Sequence, residues 1–145
     1  GFKLEANSTT IIPLGPTGDA VTDSVEFSQF IAPCDMLWTN AKLISESDPG
    51  TTFLMMMKIA DGTENSTVVS GGVNASGMHS FCVFNTGVAA NTVLDGGNVT
   101  LNTSDSGTAG AISKNERFEF QFDPQNTPND VTIILSFMLN PYTFD

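Results

Sequence analysis

The chain has little charge, and least of all positive charge. Charged residues fill 14% of its 145 positions, against ~25% in typical globular proteins. Lys and Arg total 5 against 16 Asp and Glu, so the formal net charge is −11. The lysines and Arg117 are scattered along the sequence. Phosphate backbones are bound by clustered cations, so nucleic acid is not an expected partner. An anionic membrane surface would repel the chain for the same reason. His79 is the sole histidine, and no Cys-x-x-Cys or His-x-x-x-His spacing occurs. That removes the usual zinc ligand patterns, and no cofactor is expected. Cys34 and Cys82 are too few for a disulfide framework. They are either two free buried thiols or one bridge.

Long hydrophobic runs are missing too. Phe53–Met57 and Val131–Leu139 are the longest, and Thr132 and Ser136 interrupt the second. Neither approaches the ~20 residues of a spanning helix. The opening GFKLEANSTT lacks the apolar segment of a signal peptide and gives secretion no support. No helical period of useful length appears, and Leu/Ala/Glu/Lys stretches are absent. What remains is 40% hydrophobic residues, 11 of them Phe, set among Ser, Thr, Asn and Gly. That composition suits short strands joined by many turns.

Period-two alternation marks the strands. Thr10–Leu14 reads as a short edge strand, because Pro13 cannot donate to a central ladder. Val25–Phe30 alternates at its start, and Pro33 closes the run. In Met36–Ser45, alternation places Leu37, Thr39, Ala41 and Leu43 on one face, with Met36, Trp38, Asn40, Lys42 and Ile44 on the other. Pro49–Gly50 supplies a tight turn.

Thr52–Ala60 holds three consecutive methionines. Phe53, Met55, Met57 and Ile59 share one face; Leu54, Met56 and Lys58 share the other. Neighbouring strand side chains point to opposite faces, so they cannot converge on a soft metal ion. A central strand covered on both sides is the expectation, with Met filling irregular gaps. Asp61–Thr63 then turns. Asn65–Ser70 and Met78–Phe84 are further strands. Residues 85–115 are weakly patterned, with Thr92–Leu94 and Val99–Leu101 as short strands between loops. In Arg117–Asp123, Phe118, Phe120 and Phe122 alternate with Glu119, Gln121 and Asp123, which reads as a half-buried strand with a wet outer face. In Val131–Leu139, the odd positions face the core and the even ones are partly covered.

The expected fold is therefore all-β: an antiparallel sandwich, best fitted by an eight-stranded jelly roll, with an immunoglobulin-like sandwich as the alternative. Residues 1–23 form an extended N-terminal arm and edge strand; residues 24–145 form a single sandwich domain. Phe27, Trp38, Phe53, Met55, Met57, Phe118, Phe120, Phe122, Ile133, Leu135 and Phe137 are the expected core. Phe2 and Leu4 on the arm, with Ile11 and Ile12, are candidate partner-binding residues, by strand addition to a neighbour. The competing reading of the arm is a disordered terminus.

Catalytic patterns are sparse. Asp48, Asp61, Asp95 and Asp105 adjoin Gly, Pro or Ser–Gly, where Asp initiates turns. No spacing brings two carboxylates together as an acid/base pair. A Ca²⁺ site in the acidic loops is a milder reading, though the EF-hand pattern is absent. G-x-S-x-G, P-loop and dinucleotide glycine patterns do not occur, and His79 reads as a cap on a sheet face. The Asn-x-Ser/Thr sequons at Asn7, Asn65, Asn74, Asn98 and Asn102 read as surface polarity. An enzyme is not expected.

Three stretches, FSQFIAPCDMLWTNAKLIS, DPGTTFLMMMKIADGT and NERFEFQFDPQNTPNDVTIILSFML, resemble in order the small β-sandwich virion proteins of tailed bacteriophages. Phe30, Ala32, Pro33 and Asp35 stand where that family has an F-x-x-P-x-D-G lead-in, with Met36 in place of its Gly. Pro49–Gly50–Thr51, Asp61–Gly62–Thr63 and Pro128–Asp130–Val131 stand at its later turns. The resemblance implies a structural protein on the capsid surface of a virion, of the head decoration or cement type. Such proteins are commonly trimeric jelly rolls that clamp the shell. The implied partners are its own copies in a homotrimer and the major capsid protein. A tail or fibre adhesin that binds host glycan or protein through residues 85–115, or a single-jelly-roll coat protein, are the alternatives.

Overall fold

The computed structural model describes residues 10–12, 29–59, 78–85, 91–126 and 130–140. They form ten strands and, among the described residues, no helix: β1 (Thr10–Ile12), β2 (Phe30–Ile31), β3 (Asp35–Ser45), β4 (Thr52–Ile59), β5 (Met78–Phe84), β6 (Leu94–Asp95), β7 (Thr100–Leu101), β8 (Ala111–Ile112), β9 (Arg117–Pro124) and β10 (Val131–Asn140). Every pairing is antiparallel. One sheet runs β1-β9-β4-β5-β7, with β2 also on β9; the other runs β10-β3-β6, with β8 also on β3. The short edge strand expected near Pro13 is β1, at the rim of the first sheet. Of the strand expected at Val25–Phe30, Phe30 opens β2 and residues 25–28, with Phe27, lie outside the described residues, as do the expected strand at 65–70, the turn at 61–63 and the arm boundary at residue 23.

The two sheets share one core. Leu54, Met56, Cys82, Phe84, Phe118, Phe120 and Phe122 from the first sheet meet Trp38, Ala41, Leu43, Ile112 and Val131 from the second. Trp38 packs edge-on against Phe120, with centroids 4.9 Å apart and planes at 80°. That is a favourable aromatic geometry. Ile133, Leu135 and Phe137 are partly buried against the same cluster.

Three strand faces differ from the alternation reading, each for a local reason. In β3, the register steps from Asn40↔Ser136 to Trp38↔Phe137, so Thr39 is an extra, unpaired residue. This β-bulge inverts the parity along the strand: Met36 and Trp38 before it face the same core as Ala41 and Leu43 after it. In β9, Glu119 and Gln121 are not wet; both are 0% exposed, and Gln121 Nε2 donates to Glu119 Oε1 at 3.0 Å. The third difference is in β10, whose even positions Thr132, Ile134, Ser136 and Met138 are exposed rather than partly covered.

β4 is central, between β9 and β5, and buried on both faces as its two apolar rows require. The methionine rows separate. Met56 and Leu54 join the shared core. Met55 and Met57 lie on the opposite face, in a second cluster with Met78 and Phe81, and Phe53 and Val83 pack against it. The core role expected for Met55 and Met57 therefore belongs to this second cluster, and Phe53 is only partly buried there.

Candidate functional site

A polar cluster among the described residues grows from a second bulge. Across β4 and β5, Met56 pairs with Ser80 but Met57 pairs with Met78, leaving His79 without a cross-strand partner. Bulges re-aim side chains, and here Asn102 secures the irregular backbone. Its N–H donates to His79 O at 2.9 Å, and its Nδ2 donates to Met78 O at 2.8 Å. Asn102 is buried, so the surface role read for its sequon does not hold at this position; Asn98 is exposed.

His79 is itself buried, and its Nδ1 lies 2.8 Å from Ser80 Oγ. Ser80 Oγ also accepts from Gly110 N–H at 2.8 Å. A hydroxyl has one proton and two lone pairs, so Ser80 Oγ can accept from Gly110 and also either donate to His79 Nδ1 or accept from it, according to the imidazole tautomer. His79 Nε2 faces Asp105 Oδ2 at 3.9 Å. Burial, and then the Lys58 charge, hold the imidazole pKa below its ordinary value; Asp105 and Glu116 oppose them. Lys58 Nζ meets Glu116 Oε1 at 3.2 Å.

Serine, histidine and aspartate thus fall together in a way that spacing did not show. Their geometry does not suit attack on a substrate. Ser80 is 0% exposed, its oxygen is occupied by the Gly110 N–H, and 3.9 Å exceeds hydrogen-bond reach between His79 and Asp105. The cluster instead ties the loop between β7 and β8 to both sheets. Gly110 donates to Ser80 on one sheet and accepts from Trp38 N–H on the other at 2.9 Å. Its φ of +74° suits glycine.

The other candidates behave as turn formers. Asp48 Oδ1 accepts from Gly50 N–H at 2.9 Å. Asp95 Oδ1 accepts from Asn40 Nδ2 at 2.7 Å and Gly97 N–H at 2.9 Å. These bonds, Asn40 first, lower the Asp95 pKa. Among the described residues no three His, Cys, Asp or Glu side chains are grouped to hold a metal ion. Cys34 and Cys82 are both free, and Cys34 is half-buried rather than fully buried. Burial pushes the Cys82 thiol up to about 12.

Of the candidate partner-binding residues, Phe2 and Leu4 lie outside the described residues. Ile11 pairs through its backbone with Gln121. Ile12 is buried in the shared core and so offers no surface to a partner. Among the described residues, the large exposed apolar side chains are elsewhere: Ile134, Met138 and Leu139 on β10, Phe30 and Ile31 on β2, and Val93. Beside the β10 group is a groove of about 260 Å³ lined by Asp35, Met36, Leu37, Met138, Leu139 and Asn140. Comparison with family models, curated proteins and solved structures finds no match to this chain.

Proposed function

We propose that the chain is a non-enzymatic structural protein of a phage particle, acting as a decoration protein that binds and stabilises the outer surface of the head. The reading rests first on the ordered strand and turn motifs that resemble virion proteins. The observation that carries it furthest is the division of labour in the fold. Buried polar groups are used to hold loops, as at Ser80, Asn102 and Gly110, while β10 presents an uncharged strand to solvent. A protein that works by adhesion, to its own copies or to a shell, needs surface of this kind. The jelly-roll wiring, the N-terminal arm and three-fold self-association belong to the same reading, with the major capsid protein as the further partner.

The exposed loop at residues 103–108 favours a second reading, an adhesin that contacts a host surface. Copy number in purified source particles, measured against the major shell protein, separates the two. A comparable number supports decoration. A small number matching tail or vertex symmetry supports the adhesin. Absence from particles refutes both.

A further inference from the structure

β10 is a ten-residue strand without a single charged residue, VTIILSFMLN, in a chain of net charge −11. β3 occupies one of its edges, and among the described residues no strand occupies the other. Thr132, Ile134, Ser136, Met138, Leu139 and Asn140 are exposed. Natural edge strands are blunted by Lys, Pro, inward charges or bulges. β10 has none of these; the bulge in this pair falls on β3.

The order of residues on β10 reads alike from both ends. Thr132, Ser136 and Asn140 are polar, and each gap between them holds three apolar residues: Ile133, Ile134 and Leu135, then Phe137, Met138 and Leu139. In an antiparallel pair, residues directly opposite share a face. A two-fold axis at Ser136 therefore sets Ser136 opposite Ser136, Ile134 opposite Met138 and Thr132 opposite Asn140 on the outer face. On the inner face it sets Leu135 opposite Phe137 and Ile133 opposite Leu139. Polarity matches at every pair. Centring on Leu135 would oppose Ile134 to Ser136, and centring on Phe137 would oppose Ser136 to Met138; centring on Ile134 or Met138 keeps polarity matched but pairs fewer residues of β10. A one-residue slip would oppose inner to outer side chains.

We propose that the edge of β10 that no described strand occupies pairs antiparallel with β10 of a second copy about a two-fold axis at Ser136, joining the four described strands of each copy's sheet into one continuous sheet. Charge selects this partner. Two copies at −11 repel through most of their surfaces, and β10 is a place where they meet without opposing charges. A basic partner would find no carboxylate on this strand to pair with. The inference rests on β10 alone and not on the shell role. Pairing here gives two copies, so a closed trimer would use other surfaces. A strand edge falls short of the ~800 Å² per partner of a standard stable interface, so the pair is expected to dissociate on dilution.

Sedimentation of the full chain across a dilution series tests it, with circular dichroism to confirm folding. Wild type is expected to move from monomer to dimer as concentration rises. Ile134→Glu with Met138→Glu opposes like charges at both ends of the pair and is expected to remain monomeric. Ile134→Lys with Met138→Glu opposes unlike charges and is expected to restore the dimer. In a Cys34→Ser background, mixed Thr132→Cys and Asn140→Cys chains are expected to cross-link to each other more than to themselves. The proposal is overturned by a wild-type monomer at all concentrations, or by self-association that the paired glutamates leave unchanged. Failure of the Lys/Glu variant to exceed the Glu/Glu variant overturns it too, as do preferred Thr132→Cys self-links, which indicate parallel stacking.

Discussion

Gly110→Ala is the sharpest test of how the two sheets are tied. The new methyl group would fall well inside contact distance of Trp38 O and 3.1 Å from Trp38 C. Neither is a flexible side-chain end, so the backbone must move. The φ of +74° costs a non-glycine residue ~1 kcal/mol. Moving the segment breaks the Trp38 N–H bond to Gly110 O and the Gly110 N–H bond to Ser80 Oγ, each worth ~1 kcal/mol. The sum is ~3 kcal/mol, before any repacking of Trp38 against Phe120. Gly97→Ala is the internal control, because Gly97 has φ +66° and nothing within 4 Å of its added methyl. It should cost only the backbone term, ~1 kcal/mol. Urea unfolding followed by fluorescence reports both, since Trp38 is the single tryptophan and is buried. If Gly110→Ala and Gly97→Ala differ by less than ~0.5 kcal/mol, within the scatter of surface substitutions, Gly110 is not clamped between the sheets.

Three more outcomes can be checked on the same protein. Alkylation at pH 8 should add one group per native chain, at half-buried Cys34, because Cys82 is buried and protonated far above that pH; two groups would contradict the burial of Cys82. Folding disfavours the imidazolium of His79, so unfolding takes up a proton once pH drops below the unfolded value of 6.5. Stability from neutral His79 is thus present above pH 6.5 and lost as pH falls below it; urea midpoints at pH 7.5 and 5.5 should differ more for wild type than for His79→Gln. Phe120→Ala removes a ring that is 0% exposed and touches Trp38, Phe118 and Phe137. It should cost ~3–5 kcal/mol by the same unfolding assay, and a loss under ~1 kcal/mol would move Phe120 out of the core.

Legibility tracked how local the cause was. The alternation in β9 and the double apolar rows of β4 reflect side-chain direction on a single strand, so both strands could be read directly. Bulges are set by the partner's register. Nothing in MLWTNAKLIS marks Thr39 as the extra residue, and so Trp38 was expected on the face opposite Ala41 and Leu43. Glu119 and Gln121 looked solvated because each is polar alone; their mutual hydrogen bond appears only once both share a buried face. β8 is two residues long and exists through its pairing with Met36 and Leu37, beyond any periodicity. The His79 cluster draws on β5, on residues 102–110 and on Lys58 of β4, and an Asn–His or Ser–Gly contact of that range has no spacing signature.

The position of β9 has a consequence for how the chain is made. β9 accepts β1, β2 and β4, and Thr10 meets Phe122 across 112 positions of sequence. On the ribosome, the methionine rows of β4 are synthesised long before the strand that covers their flank. Closure of the first sheet must await β9, which follows β4, β5, β7 and β8 in the chain. Contacts of such separation slow folding, and until β9 is made the flank of Leu54 and Met56 that it occupies stays uncovered. A chaperone that holds exposed apolar strands would find its substrate in that interval, and the arrival of Phe118, Phe120 and Phe122 would end it.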